Sequence, residues 1–87
     1  PDFHQSNAVY LENFNTEINL EALAIYLGLE NVEYEPEQFP GVIYRPPNLQ
    51  TVMLVFASGK SIITGTAQRE EAEKASKHLT PILDKLP

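Results

Sequence analysis

Residues 51–65 read TVMLVFASGKSIITG. Ser58-Gly59-Lys60 is a tight turn between two apolar runs, Thr51–Ala57 and Ser61–Gly65, with Gly59 free to take a positive φ, so a β-hairpin is expected. The first run carries an oddity. Its alternate residues Val52, Leu54 and Phe56 are apolar, and so are Met53, Val55 and Ala57 between them. A half-buried antiparallel strand shows one polar face, and this one shows none. Either such a sheet is sandwiched, by helices or by a partner sheet, or one apolar face stays open to an external ligand.

Downstream, residues 68–86 form an amphipathic helix, with Ala72, Ala75, Leu79, Ile82, Leu83 and Leu86 on one stripe. Pro81 sits within it and is expected to kink it or end its regular part. Upstream, Pro46-Pro47-Asn48 marks a turn, Val42–Arg45 a strand, and Pro36 with Pro40-Gly41 a loop. Val32–Glu35 reads as a short strand. Before it, Asn19 caps a helix with Leu20, Leu23, Ala24 and Leu27 on one side, and Gly28 stops it. Phe3 to Tyr10 reads as a strand, followed by a polar stretch from Glu12 to Glu17. The order β-α-β-β-β-β-α is an α+β domain, an antiparallel sheet with two helices that need a face to cover.

At 87 residues the chain suffices for one domain, spanning 1–87, and is too short for two. No run of 18 apolar residues occurs, and no signal segment opens the chain. It begins at Pro1 rather than Met, as expected of a processed, truncated or excised piece. With no cysteine and two scattered histidines, His4 and His78, neither a disulfide framework nor a structural zinc site is expected. No nucleophile–base pair, carboxylate dyad or phosphate loop points to an enzyme, and no cofactor or metal is implied. Net charge is −6, unevenly spread: residues 1–44 hold eight acids and no Lys or Arg, whereas residues 45–87 sum to +2. The asymmetry allows one mildly basic and one acidic surface on a small body.

Two strings carry a family resemblance, YEPEQFPGVIYR (Tyr34–Arg45) and FASGKSIITG (Phe56–Gly65). Both resemble the TATA-box-binding protein family, specifically the C-terminal repeat of its archaeal form. Asn7-Ala8-Val9, its spacing to Asn19-Leu20-Glu21, and Pro81-Ile82-Leu83 extend the match over nearly the whole chain. The resemblance implies a half-saddle, a curved five-stranded antiparallel sheet with its helices on the convex face. It implies a general transcription factor that binds and kinks AT-rich DNA through the minor groove. Phe39 and Phe56 match the phenylalanines that wedge between base steps. Pro40 adjoins the first of them. Asn7 and Thr64 match polar residues that donate to adenine N3 and thymine O2, while Val9, Leu54 and Ile62 beside them offer no acceptor to guanine. Ser58 and Lys60 flank the apolar strip where phosphates run, and Arg45 is a further phosphate contact.

Glu35, Glu37 and Gln38 match the stirrup that docks transcription factor B; acids beside DNA fit a basic protein partner better than phosphate. The family has two such repeats per chain, so a homodimer or a missing half is expected to complete the saddle. Gln50 and Ala67 stand where family members carry Arg and Lys, which weakens DNA affinity. An alternative is a non-DNA interaction module of the same fold. The expected location is the archaeal cytoplasm at the nucleoid, or a nucleus if the source is eukaryotic.

Overall fold

The β5–β6 hairpin forms as the sequence dictates, and it lies at the centre of the sheet. In the computed structural model, which describes residues 2–6 (backbone), 9–65 and 68–86, the elements are β1 (Asp2–Ser6), β2 (Val9–Asn13), α1 (Leu20–Leu27), β3 (Val32–Glu33), β4 (Gly41–Tyr44), β5 (Val52–Phe56), β6 (Lys60–Thr64) and α2 (Arg69–Leu83). The strands form one antiparallel sheet in the order β1-β2-β6-β5-β4-β3. The five expected strands are β2 to β6, and a sixth, β1, joins at the edge. The single strand expected from Phe3 to Tyr10 is therefore a hairpin, in which Ser6 faces Val9 and Asp2 faces Asn13. Residues 3–10 contain none of the Gly-containing pairs that usually announce a tight hairpin.

Gly59 takes φ +95°, and its N–H donates to the Phe56 carbonyl at 3.0 Å. A Cβ there would lie 2.3 Å from the Thr16 carbonyl oxygen, so only glycine fits. The chain from Phe14 to Ile18 lies against this turn: Phe14 N–H donates to the Gly59 carbonyl (2.9 Å) and Ile18 N–H to that of Ala57 (2.8 Å).

Both helices cover one face, α1 over β3 and β4, α2 over β2 and β6. Asn19 caps α1, its Oδ1 accepting from Ala22 N–H at 3.0 Å, and Gly28 at φ +92° ends it, returning its N–H to the Ala24 carbonyl. Helix α2 runs two residues past Pro81 and loosens into turns at Asp84 and Lys85, short of the expected Leu86. Proline cannot donate to the carbonyl four residues back, so the last helical turn is under-bonded.

Under the helices, cross-strand neighbours Tyr10, Ile63, Met53, Tyr44 and Val32 form one row of the core. Leu23 of α1 and Leu79 of α2 close over the sheet and are fully buried. Each such side chain contributes about 1.5–3 kcal/mol by leaving water. The Tyr44 hydroxyl and His78 Nε2 lie 2.9 Å apart and share a hydrogen bond that ties α2 to β4, the rings stacked at 15°. Desolvation pushes the Tyr44 phenol above its ordinary pKa.

Glu12 departs from the expected polar stretch. It belongs to β2, points under α2 and is 4 % exposed. The Ser76 hydroxyl donates to its Oε1, which recovers part of the cost of burying a carboxyl group.

Candidate nucleic-acid interface

Alternation sets what lies on the opposite face. Since Tyr10, Val42, Tyr44, Met53, Val55, Ser61 and Ile63 turn toward the helices, Val9, Leu11, Asn13, Ile43, Val52, Leu54, Phe56, Ile62 and Thr64 turn away. None of these is fully buried. Register places Leu11, Ile62, Leu54 and Ile43 side by side across four strands, ending at Glu33 on the edge. The result is an apolar band that neither helix covers.

Phe56 pairs in register with Gly41, and the Phe39 ring lies 5.6 Å from that of Phe56 at 58°, a favourable tilted arrangement. Glycine at 41 makes this possible. A Cβ there would stand 2.8 Å from the Val55 carbonyl oxygen, 3.1 Å from Phe39 Cε2 and 3.2 Å from Phe56 Cδ1. Phe39 itself is presented by a tight turn, in which the N–H groups of Gln38 and Phe39 both donate to the Glu35 carbonyl at 2.9 Å. Glu35, Pro36, Glu37, Gln38 and Pro40 are exposed around it, and Phe39 is half-buried against its partner ring. Glu33, Glu35, Gln38, Phe39, Gly41 and Ile43 line a small recess of about 90 Å³ here.

A larger hollow of about 500 Å³ opens beside Phe56. Leu11, Glu12, Asn13, Phe56, Ser58, Lys60, Ser61 and Ile62 line it. It brings together four of the expected site residues, Phe56, Ser58, Lys60 and Ile62, with Ser58 and Lys60 exposed at the rim. Leu54 faces Ile62 and Val52 faces Thr64 across the hairpin, so the tight turn preserves alternation through it. Thr64 lies across from Val52 at the far end of the band. Arg45 is exposed and does not stand alone: its Nη1 lies 3.3 Å from Glu33 Oε1. Asn7 and Ala67 fall outside the described residues.

Sequence reasoning missed Leu11, Asn13 and Ile43 on this face, and the spacing role of Gly41. Period-two counting from Val9 reaches Leu11 and Asn13; Ile43 needed the β4–β5 register. Among the described residues no group of His, Cys, Asp or Glu is placed to hold a metal ion, and no helix is long and apolar enough to cross a membrane.

Residues 2–86 match the family model described as Transcription factor TFIID (or TATA-binding protein, TBP). The TATA-box-binding protein of Methanothrix thermoacetophila is 44 % identical over 86 residues, covering 99 % of this chain and 47 % of its own length. That of Archaeoglobus fulgidus is 46 % identical over 80 residues, covering 92 % and 44 %. Among solved structures, Methanococcus jannaschii TBP superposes with a TM-score of 0.80 at 38 % identity, over 91 % of this chain and 46 % of that one. The chain thus spans about half the length of the relatives it matches.

Proposed function

Since the chain belongs to the TATA-box-binding protein family, as one of its repeats and in a half-saddle α+β fold, a family of transcription factors and not of enzymes, we propose that it binds the minor groove of AT-rich promoter DNA and kinks it as part of a general transcription factor. The observation that carries this reading is the uncovered apolar band flanked by the tilted Phe39–Phe56 pair. Two rings beside an open apolar surface suit insertion at a base step, where unstacking costs about a few kcal/mol and the bend that follows widens the contact. Leu54, Ile62 and Val9 lie where the groove floor would be and exclude the guanine amino group; Thr64, and Asn7 by family resemblance, donate to adenine N3 and thymine O2. Ser58, Lys60 and Arg45 take phosphates at the rim.

On the exposed turn of Glu35, Glu37 and Gln38, acids without a basic neighbour in sequence fit a basic protein, and transcription factor B is the partner the family implies. A second repeat, from a homodimer or from the remainder of a longer chain, completes the saddle. The setting is the archaeal cytoplasm, at the nucleoid. An interaction module that does not bind DNA is the competing reading, favoured by the acid-rich edge and by Arg45 being already paired.

Sedimentation with an AT-rich duplex, together with fluorescence-transfer measurement of its bend, decides between them. The DNA reading expects a two-repeat assembly on bent duplex, with Phe56→Ala reducing the bend more than Lys60→Ala. A chain that ignores the duplex, or the opposite order of the two variants, counts against it.

A further inference from the structure

The arginine assigned to a phosphate is already engaged by a carboxylate of its own chain. Glu33 faces Ile43 across the β3–β4 ladder, which puts it on the same side of the sheet as the apolar band. Arg45 follows Ile43 by two residues and shares that parity. Its N–H donates to the Asn31 carbonyl at 2.9 Å, fixing the backbone of residue 45 against the start of β3. The two side chains therefore leave the sheet from neighbouring points on one face, and Nη1 reaches Oε1 at 3.3 Å. The register sets this pair.

Resting on the DNA reading above, we infer that Glu33 is an internal competitor for the phosphate site: its carboxylate holds Arg45 until a DNA phosphate displaces it, and so lowers affinity at this end of the groove. The chemistry matches, because a carboxylate and a phosphate present similar oxygen pairs to a guanidinium. Both side chains are more than half exposed, at 55 % and 61 %, so water and salt keep the pair weak enough for phosphate to replace it. Glu33 acts through Arg45 and is a positioning residue. Glu35 borders the same recess, so plain repulsion of DNA by negative charge is the rival explanation for any effect of Glu33.

A double-mutant cycle separates the two. An AT-rich duplex is titrated by fluorescence anisotropy at one low salt concentration with the unaltered chain, Glu33→Gln, Arg45→Gln and the double variant. All four fold, since both positions lie on the surface. Glu33→Gln is expected to bind about two- to fivefold tighter, the range of an exposed ion pair. Arg45→Gln is expected to bind more weakly, and the double variant no tighter than Arg45→Gln alone. Without DNA, the Arg45 Nε–H resonance shifts in Glu33→Gln. Unchanged affinity in Glu33→Gln overturns the inference, and so does a gain that persists in full beside Arg45→Gln, which is the signature of repulsion. If the unaltered chain and every variant ignore the duplex, the DNA reading itself fails and this inference falls with it.

Discussion

The two faces of the sheet are built from the same strands, and in β5 from equally apolar residues, yet they have different fates. In β5, Met53 and Val55 are fully buried under the helices, while Val52, Leu54 and Phe56 between them keep part of their surface in contact with solvent. Hydrophobicity does not distinguish the sides; the number of covering elements does. Two helices suffice for one face of a sheet this size, and both lie on the same one. Apolar alternation on both sides of a strand, in a chain with too few helices to cover both, therefore marks a surface meant for something else.

Substitutions can break or sharpen that contrast. The largest effect is expected on the covered face: Leu79→Ala leaves a cavity beneath α2 and destabilises the chain by about 2–5 kcal/mol in urea unfolding. Gly41→Ala comes next, at about 1–3 kcal/mol, because its Cβ meets the Val55 carbonyl oxygen at 2.8 Å and one strand has to shift. The Phe39–Phe56 contact should loosen with it, visible as altered ring-proton shifts. Asn19→Ala removes the α1 cap and is expected to lower stability by about 1 kcal/mol, with loss of helix signal at that end. On the open face, Leu54→Ala should change stability by less than about 1 kcal/mol, since the side chain keeps part of its surface in solvent and packs under no helix, while duplex binding weakens. If Leu54→Ala and Leu79→Ala destabilise equally, the open face is part of the core and the contrast is lost.

The smallest effect is a pH dependence. Burial raises the Tyr44 pKa above its ordinary 10.0, so the folded chain holds this proton more tightly than the unfolded one. Its contribution is fully present below pH 10.0 and is lost as pH rises through the raised folded value. Urea midpoints should fall in that alkaline window, and less steeply in Tyr44→Phe, which also forfeits the hydrogen bond to His78.

Local signals were easy to read. The hairpin around Gly59, the Asn19 cap and the Gly28 stop each depend on a few consecutive residues, and each stands where expected. Pairings distant in sequence were hidden. Glu12 looked like solvated loop because its partner, Ser76, lies 64 residues away on α2. The Arg45 expected to be available for phosphate is held by Glu33, a contact visible only once β3 is laid against β4 in register. Strand β1 escaped because residues 3–10 carry no strong turn signal.

Gly41 matters for what it omits. By lacking a methyl-sized group it lets two benzene rings settle against each other on the free protein, tilted and already in contact. Their rotamers are chosen during folding, so whatever molecule receives them does not have to freeze two loose side chains at the moment of encounter. A missing carbon thus converts a pair of greasy appendages into a pre-set tool, and any larger residue at that position would blunt it before a ligand arrived.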